Sequence, residues 1–146
     1  MFERKTMAFV VLLFVVASGC SNRNPTTHPV HGEVRFPDGR PLTKGSVEFE
    51  LLNQEMTVTA TGEISKDGTF VLGTFELDDG AVAGRHRAVV IADHEIGTGV
   101  ERPGKLPPPM LHPRFRDFKT SGLEFTVEPG ENKIIIEVDY AAGTRR

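Results

Sequence analysis

The 146-residue chain contains one cysteine, one tyrosine and no tryptophan. A single cysteine excludes an intramolecular disulfide, so the fold has to be held by its apolar core. Ten phenylalanines make up nearly all of the aromatic content, and they suit a dry interior better than stacking on a ligand. Positive charge is not in excess either: 17 Lys and Arg stand against 20 Asp and Glu, for a formal charge of −3 at pH 7. The basic residues are scattered instead of forming a stripe, which argues against a nucleic-acid binder. No run is long enough to span a bilayer. The longest, residues 8–17, would rise about 15 Å as a helix against a hydrocarbon core of roughly 30 Å.

That run nevertheless has a function to read. Arg4 and Lys5 precede it, and it closes on Ser18 and Gly19 immediately before Cys20. A basic start, a short apolar stretch and small residues at its end are the layout of a secretory signal, here residues 1–19. In an exported chain a lone cysteine is a stray thiol, an intermolecular bridge or a modified residue. Val16, Ala17, Ser18, Gly19 and Cys20 resemble a bacterial lipobox. The resemblance implies that Cys20 is lipidated and becomes the new N-terminus, with a multiply acylated cysteine as a sufficient membrane tether. The alternative is an ordinary secreted protein that loses Cys20 with its signal. Residues 20–28 are polar, contain Pro25 and read as a tether.

From residue 29 to 140 the dominant signal is period-2 alternation. Val30, Gly32, Val34 and Phe36 alternate with His31, Glu33 and Arg35, and Val47, Phe49 and Leu51 with Glu48 and Glu50. Met56, Val58, Ala60 and Ile64 alternate with threonines and Glu63, and the turn at Lys66, Asp67 and Gly68 predicts a hairpin onto residues 69–72. Residues 87–92 are apolar at both parities, as in a central strand covered on both faces. Leu123, Phe125 and Val127, then Ile134, Ile136 and Val138, predict a final pair around Pro129 and Gly130. About seven strands without an amphipathic helix predict an all-β, seven-strand immunoglobulin-like or transthyretin-like sandwich, followed by a tail at 141–146.

Residues 93–122 break the pattern. This proline-containing loop includes Pro107, Pro108 and Pro109, which should be extended and unable to donate to a sheet ladder. Beyond them Met110, Leu111, Phe115 and Phe118 interleave with basic residues, so part of the loop is expected to pack back on the sandwich. The same mixture makes His112, Arg114, Phe115, Arg116 and Phe118 the candidate contact set for an envelope protein or a glycan.

Chemical sites find little support. His28 and His31 sit three apart, a spacing that puts them on opposite faces of a continuous strand, so they chelate only if the strand begins after His28. Glu48 and Glu50 share a face about 6.6–6.8 Å apart along the strand, inside the separation of an inverting glycosidase pair. Alternating acids on an exposed strand are common, however, and backbone spacing alone is weak. There is no G-x-S-x-G elbow for nucleophilic catalysis and no phosphate-cradling glycine loop. Asp38, Asp67 and Asp79 each precede a glycine, as turns require, without the oxygen-rich spacing of an EF-hand. No enzyme activity, metal or cofactor is expected.

The order of these pieces resembles a known family. Val30, Gly32 and Val34, then Asp38, Gly39, Arg40, Pro41 and Leu42, then Gly45, Val47 and Phe49, resemble the carboxypeptidase regulatory-like, transthyretin-like domain. Asp67 with Gly68, Thr69 and Phe70, and the run from Asp79 through Gly80, Ala81, Val82 and Ala83 to Gly84, extend the likeness. Together with the lipobox and the proline-rich segment, the chain is similar to small lipoproteins of planctomycete bacteria. His86 stands where the family usually has an aromatic. The resemblance implies a non-catalytic accessory or binding module, lipid-anchored at the cell envelope, with the outer membrane or periplasmic face favoured. Neither ligand nor oligomeric state follows from it.

Overall fold

The computed structural model describes residues 24–53, 57–92 and 111–142, and within them the chain is all-β. The expected leader at 1–19, Cys20 and the three consecutive prolines lie outside the described residues. Strands β1 (Thr27–His28), β2 (Val30–Arg35), β3 (Gly45–Leu51), β4 (Thr59–Ile64) and β5 (Thr69–Val71) come first. They are followed by β6 (Ala81–Val82), β7 (Gly84–Ile91), a 3-10 turn (Pro113–Arg116), β8 (Leu123–Val127) and β9 (Asn132–Glu137). The alternation seen in the sequence is a burial alternation. In β4, Ala60, Gly62 and Ile64 face inward between exposed residues, and in β9 Asn132, Ile134 and Ile136 do the same.

Two sheets enclose the core. One has the order β4-β3-β7-β8, all antiparallel, and the other has the order β5-β2-β9. In the second, β2 pairs antiparallel with β5 and parallel with β9, with Val34 opposite Ile136. Val30, Val34, Phe70 and Ile136 from this sheet join Val47, Phe49, Ala88 and Val90 from the other in one buried cluster. Phe49 is the hub. Its ring lies 6.3 Å from Phe70 across the sandwich and 5.4 Å from Phe125 on its own sheet. The central strand β7 carries buried Ala88, Val89 and Val90, the two-sided burial that its apolar sequence implies.

The structure corrects several local readings. Nine strands are present among the described residues, two more than expected. The additions, β1 and β6, pair with each other over two residues each, too short for any period to register. Thr27 and His28 therefore belong to the folded domain rather than to the tether. At the other end Ala141 is buried, so the fold also runs one residue past 140.

The two expected hairpins do not form as ladders. The turn at Lys66, Asp67 and Gly68 is present, with Ser65 N–H donating to the Thr69 carbonyl at 2.8 Å, but β4 pairs with β3 and β5 with β2. Beyond that turn, a bridge between Thr61 and Gly73 joins the two sides of this seam. Gly62 permits the crossing, since a Cβ there would sit 2.5 Å from the Val71 carbonyl oxygen. Likewise β8 and β9 end up in different sheets. Asn132 fixes that crossover: its side-chain amide donates to the carbonyls of Glu128 (2.9 Å) and Gly130 (3.0 Å), and its Oδ1 accepts from Glu128 N–H.

Two substitutions test this architecture. Phe49→Ala should destabilise the fold by about 3–5 kcal/mol, the usual cost of emptying an aromatic site in a packed core. Gly80 has φ +90, and a Cβ there would meet the His28 carbonyl oxygen at 1.9 Å. Gly80→Ala should therefore cost more than about 1 kcal/mol. Urea unfolding followed by circular dichroism measures both, and an unchanged midpoint for Phe49→Ala would contradict the two-sheet core.

Candidate functional site

The described part of the long loop is a built element. His112 opens the 3-10 turn, its Nδ1 accepting from Arg114 N–H at 3.2 Å. Arg114 reaches Asp139 at 2.7 Å and lies over the Phe115 ring, 4.4 Å from its centroid. Asp117 accepts from Lys119 N–H at 2.7 Å, and the hydroxyl of Thr120 donates to the Arg114 carbonyl at 2.7 Å. Leu111 bridges to Tyr140, which ties the start of this segment to the end of the domain. Packing back on the sandwich is thus what these residues do, through Leu111 and Phe115.

This packing divides the candidate contact set. Phe115 is 0% exposed and belongs to the core, so it is withdrawn from any contact surface. Phe118 lies beneath the guanidinium of Arg87, 5.3 Å from centroid to Cζ, and Arg114 is held by Asp139. Arg116 is exposed and His112 half-buried. Deleting the segment would open the core, so any contact role must be tested by surface substitution.

The two glutamates of β3 behave differently from each other. Glu50 is paired with Arg87 of the adjacent strand, and that ion pair holds the Arg87 pKa above its ordinary value, the Glu50 hydrogen bond being the main cause. Glu48 stands between Thr61 and Val89 on the outer sheet face. A carboxylate tied to a guanidinium on a sheet face has the arrangement of a cross-strand charge pair, which is how β-sheets ordinarily use such residues.

His28 lies in β1 and is separated from β2 by Pro29, and its Nδ1 accepts from Gly130 N–H at 3.1 Å. Among the described residues no group of three or more His, Cys, Asp or Glu side chains is placed to hold a metal ion. Each Asp-Gly turn uses its carboxylate locally. Asp67 serves Thr69, whose hydroxyl and N–H lower its pKa. Asp79 accepts from the N–H groups of Thr74 (2.6 Å), Phe75 (3.2 Å) and Glu76 (3.1 Å). Asp38 pairs with Arg40 at 2.8 Å and accepts from the Tyr140 hydroxyl at 3.0 Å. Its pKa is lowered mainly by the Arg40 hydrogen bond, while that of Tyr140 is raised by desolvation first and then by Asp38. The Tyr140 ring stacks on Phe36 with centroids 3.9 Å apart, an arrangement that no spacing in the sequence announces.

His86 is an internal polar group, alongside Ser121 and Asn132. It is 1% exposed on the core face of β7, where Leu51 and Phe125 are its strand neighbours. Because Val82 O can only accept, His86 Nε2 must carry the proton of their 2.8 Å bond. Nδ1 is then an unprotonated nitrogen with no hydrogen-bond partner among the described residues. Burial pushes the imidazole pKa below its ordinary value, with the Val82 and Phe49 carbonyls opposing it. The unfolded chain therefore binds the extra proton first as pH falls. Stability should drop from about pH 6.5 downward until the lowered folded pKa is passed. His86→Phe should flatten that part of the curve, read as the difference between the two proteins' urea midpoints from pH 8 to pH 5. Parallel curves would refute the neutral buried histidine.

No helix among the described residues is long and apolar enough to cross a membrane. Comparison with protein-family models, with curated proteins and with solved structures finds no match to this chain.

Proposed function

We propose that this protein is a lipid-anchored lipoprotein of the bacterial cell envelope. Its β-sandwich would have an accessory binding or structural role, not a catalytic one. The observation that carries the reading is the N-terminal layout: two basic residues, an apolar run over residues 8–17 and a small-residue pair directly before the chain's single cysteine. A ten-residue run is short for a membrane helix but suits a cleaved signal. Acyl chains on Cys20 would then supply an attachment that the acidic chain cannot obtain from charge on an anionic membrane.

The finer fold reading belongs to the same proposal. Alternating Val and Phe between Asp-Gly turns support a carboxypeptidase regulatory-like, transthyretin-like sandwich, and His86 occupies its aromatic position as a neutral, enclosed ring. The way the side chains are used supports an accessory role. Of the two carboxylates that invite a catalytic reading, Glu50 is committed to Arg87, and the turn aspartates are committed as well, Asp38 to Arg40 and Tyr140 and Asp79 to three backbone N–H groups.

Expression in a bacterium with lipoprotein processing, beside Cys20→Ala, tests the anchor. The expected product has an intact mass matching cleavage before Cys20 plus acyl chains, takes up labelled palmitate and sediments with membranes. Cys20→Ala should do none of these. An unacylated wild-type product in the soluble fraction would refute the reading.

A further inference from the structure

The sandwich is open along two seams, because β4 and β8 end one sheet and β5 and β9 end the other. At the β8/β9 seam the rim is of mixed sign, with Arg35 and Glu137 paired across strands at 2.9 Å. The β4/β5 seam differs. It holds a groove of about 660 Å³ whose apolar surface comes from Val71, Phe75 and Leu77. Leu77 is 91% exposed and Phe75 39%. They sit on a loop held in place by Asp79, whose carboxylate takes three successive N–H groups, and by Thr74, whose hydroxyl donates to the Gly80 carbonyl at 2.7 Å. A leucine held in water on a pinned loop gains nothing for the fold of the isolated chain.

The charges select the occupant. Glu63, Glu76 and Asp78 line the groove, and among the described residues that line it none is Lys, Arg or His. A second copy would bring the same acids against these, and an anionic lipid surface would be repelled. An extended peptide with alternating apolar and basic side chains fits instead. Its apolar side chains cover Leu77, Phe75 and Val71, its cations meet the acids, and its backbone runs along the rim of the seam between β4 and β5, which among the described residues end their sheets and are bridged at Thr61 and Gly73. We propose that the β4/β5 seam is a docking groove for a basic, apolar-alternating segment of a partner protein. This deepens the accessory binding role proposed above and is independent of the lipid anchor.

The test is a fluorescence-anisotropy titration of the full chain in detergent with a labelled heptapeptide of alternating lysine and valine, beside a glutamate–valine peptide. The same titration on Cys20→Ala separates a failed groove from a failed anchor. The expected result is saturable binding of the lysine peptide alone, weakened by salt. Leu77→Ser, on an exposed side chain that leaves the core intact, should weaken it about tenfold or more, as should Glu63→Lys combined with Glu76→Lys. No binding at millimolar peptide, equal binding of both peptides, or affinity unchanged by these variants would overturn the proposal. A dimer in sedimentation equilibrium that Leu77→Ser abolishes would assign the groove to a second copy and overturn it. So would capture on anionic vesicles that Leu77→Ser abolishes. Binding that appears only when residues 96–108 are replaced by a Gly-Ser linker would assign the groove to this chain's own loop, and would overturn it as well.

Discussion

Everything else in the domain depends on apolar contact between two sheets, concentrated at Phe49. With no disulfide available, burial has to supply the stability that a small secreted domain often draws from cross-links. Phe49 touches Phe70 on the opposite sheet and Phe125 on its own, with the His86 ring 6.1 Å away. It sits on β3, which pairs with β4 on one side and β7 on the other, so the ring is centred and shielded from both seams. A neutral imidazole is tolerated beside it because one ring nitrogen is satisfied by Val82 O. The second nitrogen has no hydrogen-bond partner among the described residues, and burial favours the neutral form.

Strand positions were legible in the sequence because a half-buried sheet writes a period of two, and β2, β3, β4 and β9 show it residue by residue. Sheet membership was not. Alternation says which side chains face inward, and both sheets face the same core, so a strand pair joined by a turn looks alike whether it forms a hairpin or crosses between sheets. The crossing is decided by contacts that alternation does not encode: Gly62 allows Val71 O to approach, and Asn132 gathers the carbonyls of Glu128 and Gly130 while its own N–H donates to the distant Pro29 carbonyl. Two-residue strands such as β1 and β6 have no period to read at all.

The candidate contact residues show the same limit. An interleaved run of Leu111, Phe115, Arg114 and Arg116 has the composition of a contact patch and also that of a loop folded onto a core. Burial separates the two, and it places Leu111 and Phe115 inside. The stretch of Phe75, Glu76, Leu77 and Asp78 reads in sequence as the approach to an Asp-Gly turn. Its apolar side chains are left outward because Asp79 takes up the backbone N–H groups and Asp78 adopts φ 58, a conformation that no hydrophobic period encodes.

The seam and the proposed anchor are also related by geometry. Gly80, at the end of the Leu77 loop, packs against the His28 carbonyl, and Ala81 pairs with His28 in the β1/β6 ladder. The loop therefore ends beside the first strand of the domain. Only seven residue steps separate Thr27 from Cys20, a reach of at most about 25 Å even when fully extended. An acylated Cys20 would hold this end of the sandwich, and with it the acidic groove, close to the bilayer. Like charge would keep the groove off an anionic surface while leaving it accessible to cationic segments that gather there. On the proposed anchor, a short tether leading to the strand beside the acidic seam would favour partners that are themselves membrane-associated over partners diffusing freely.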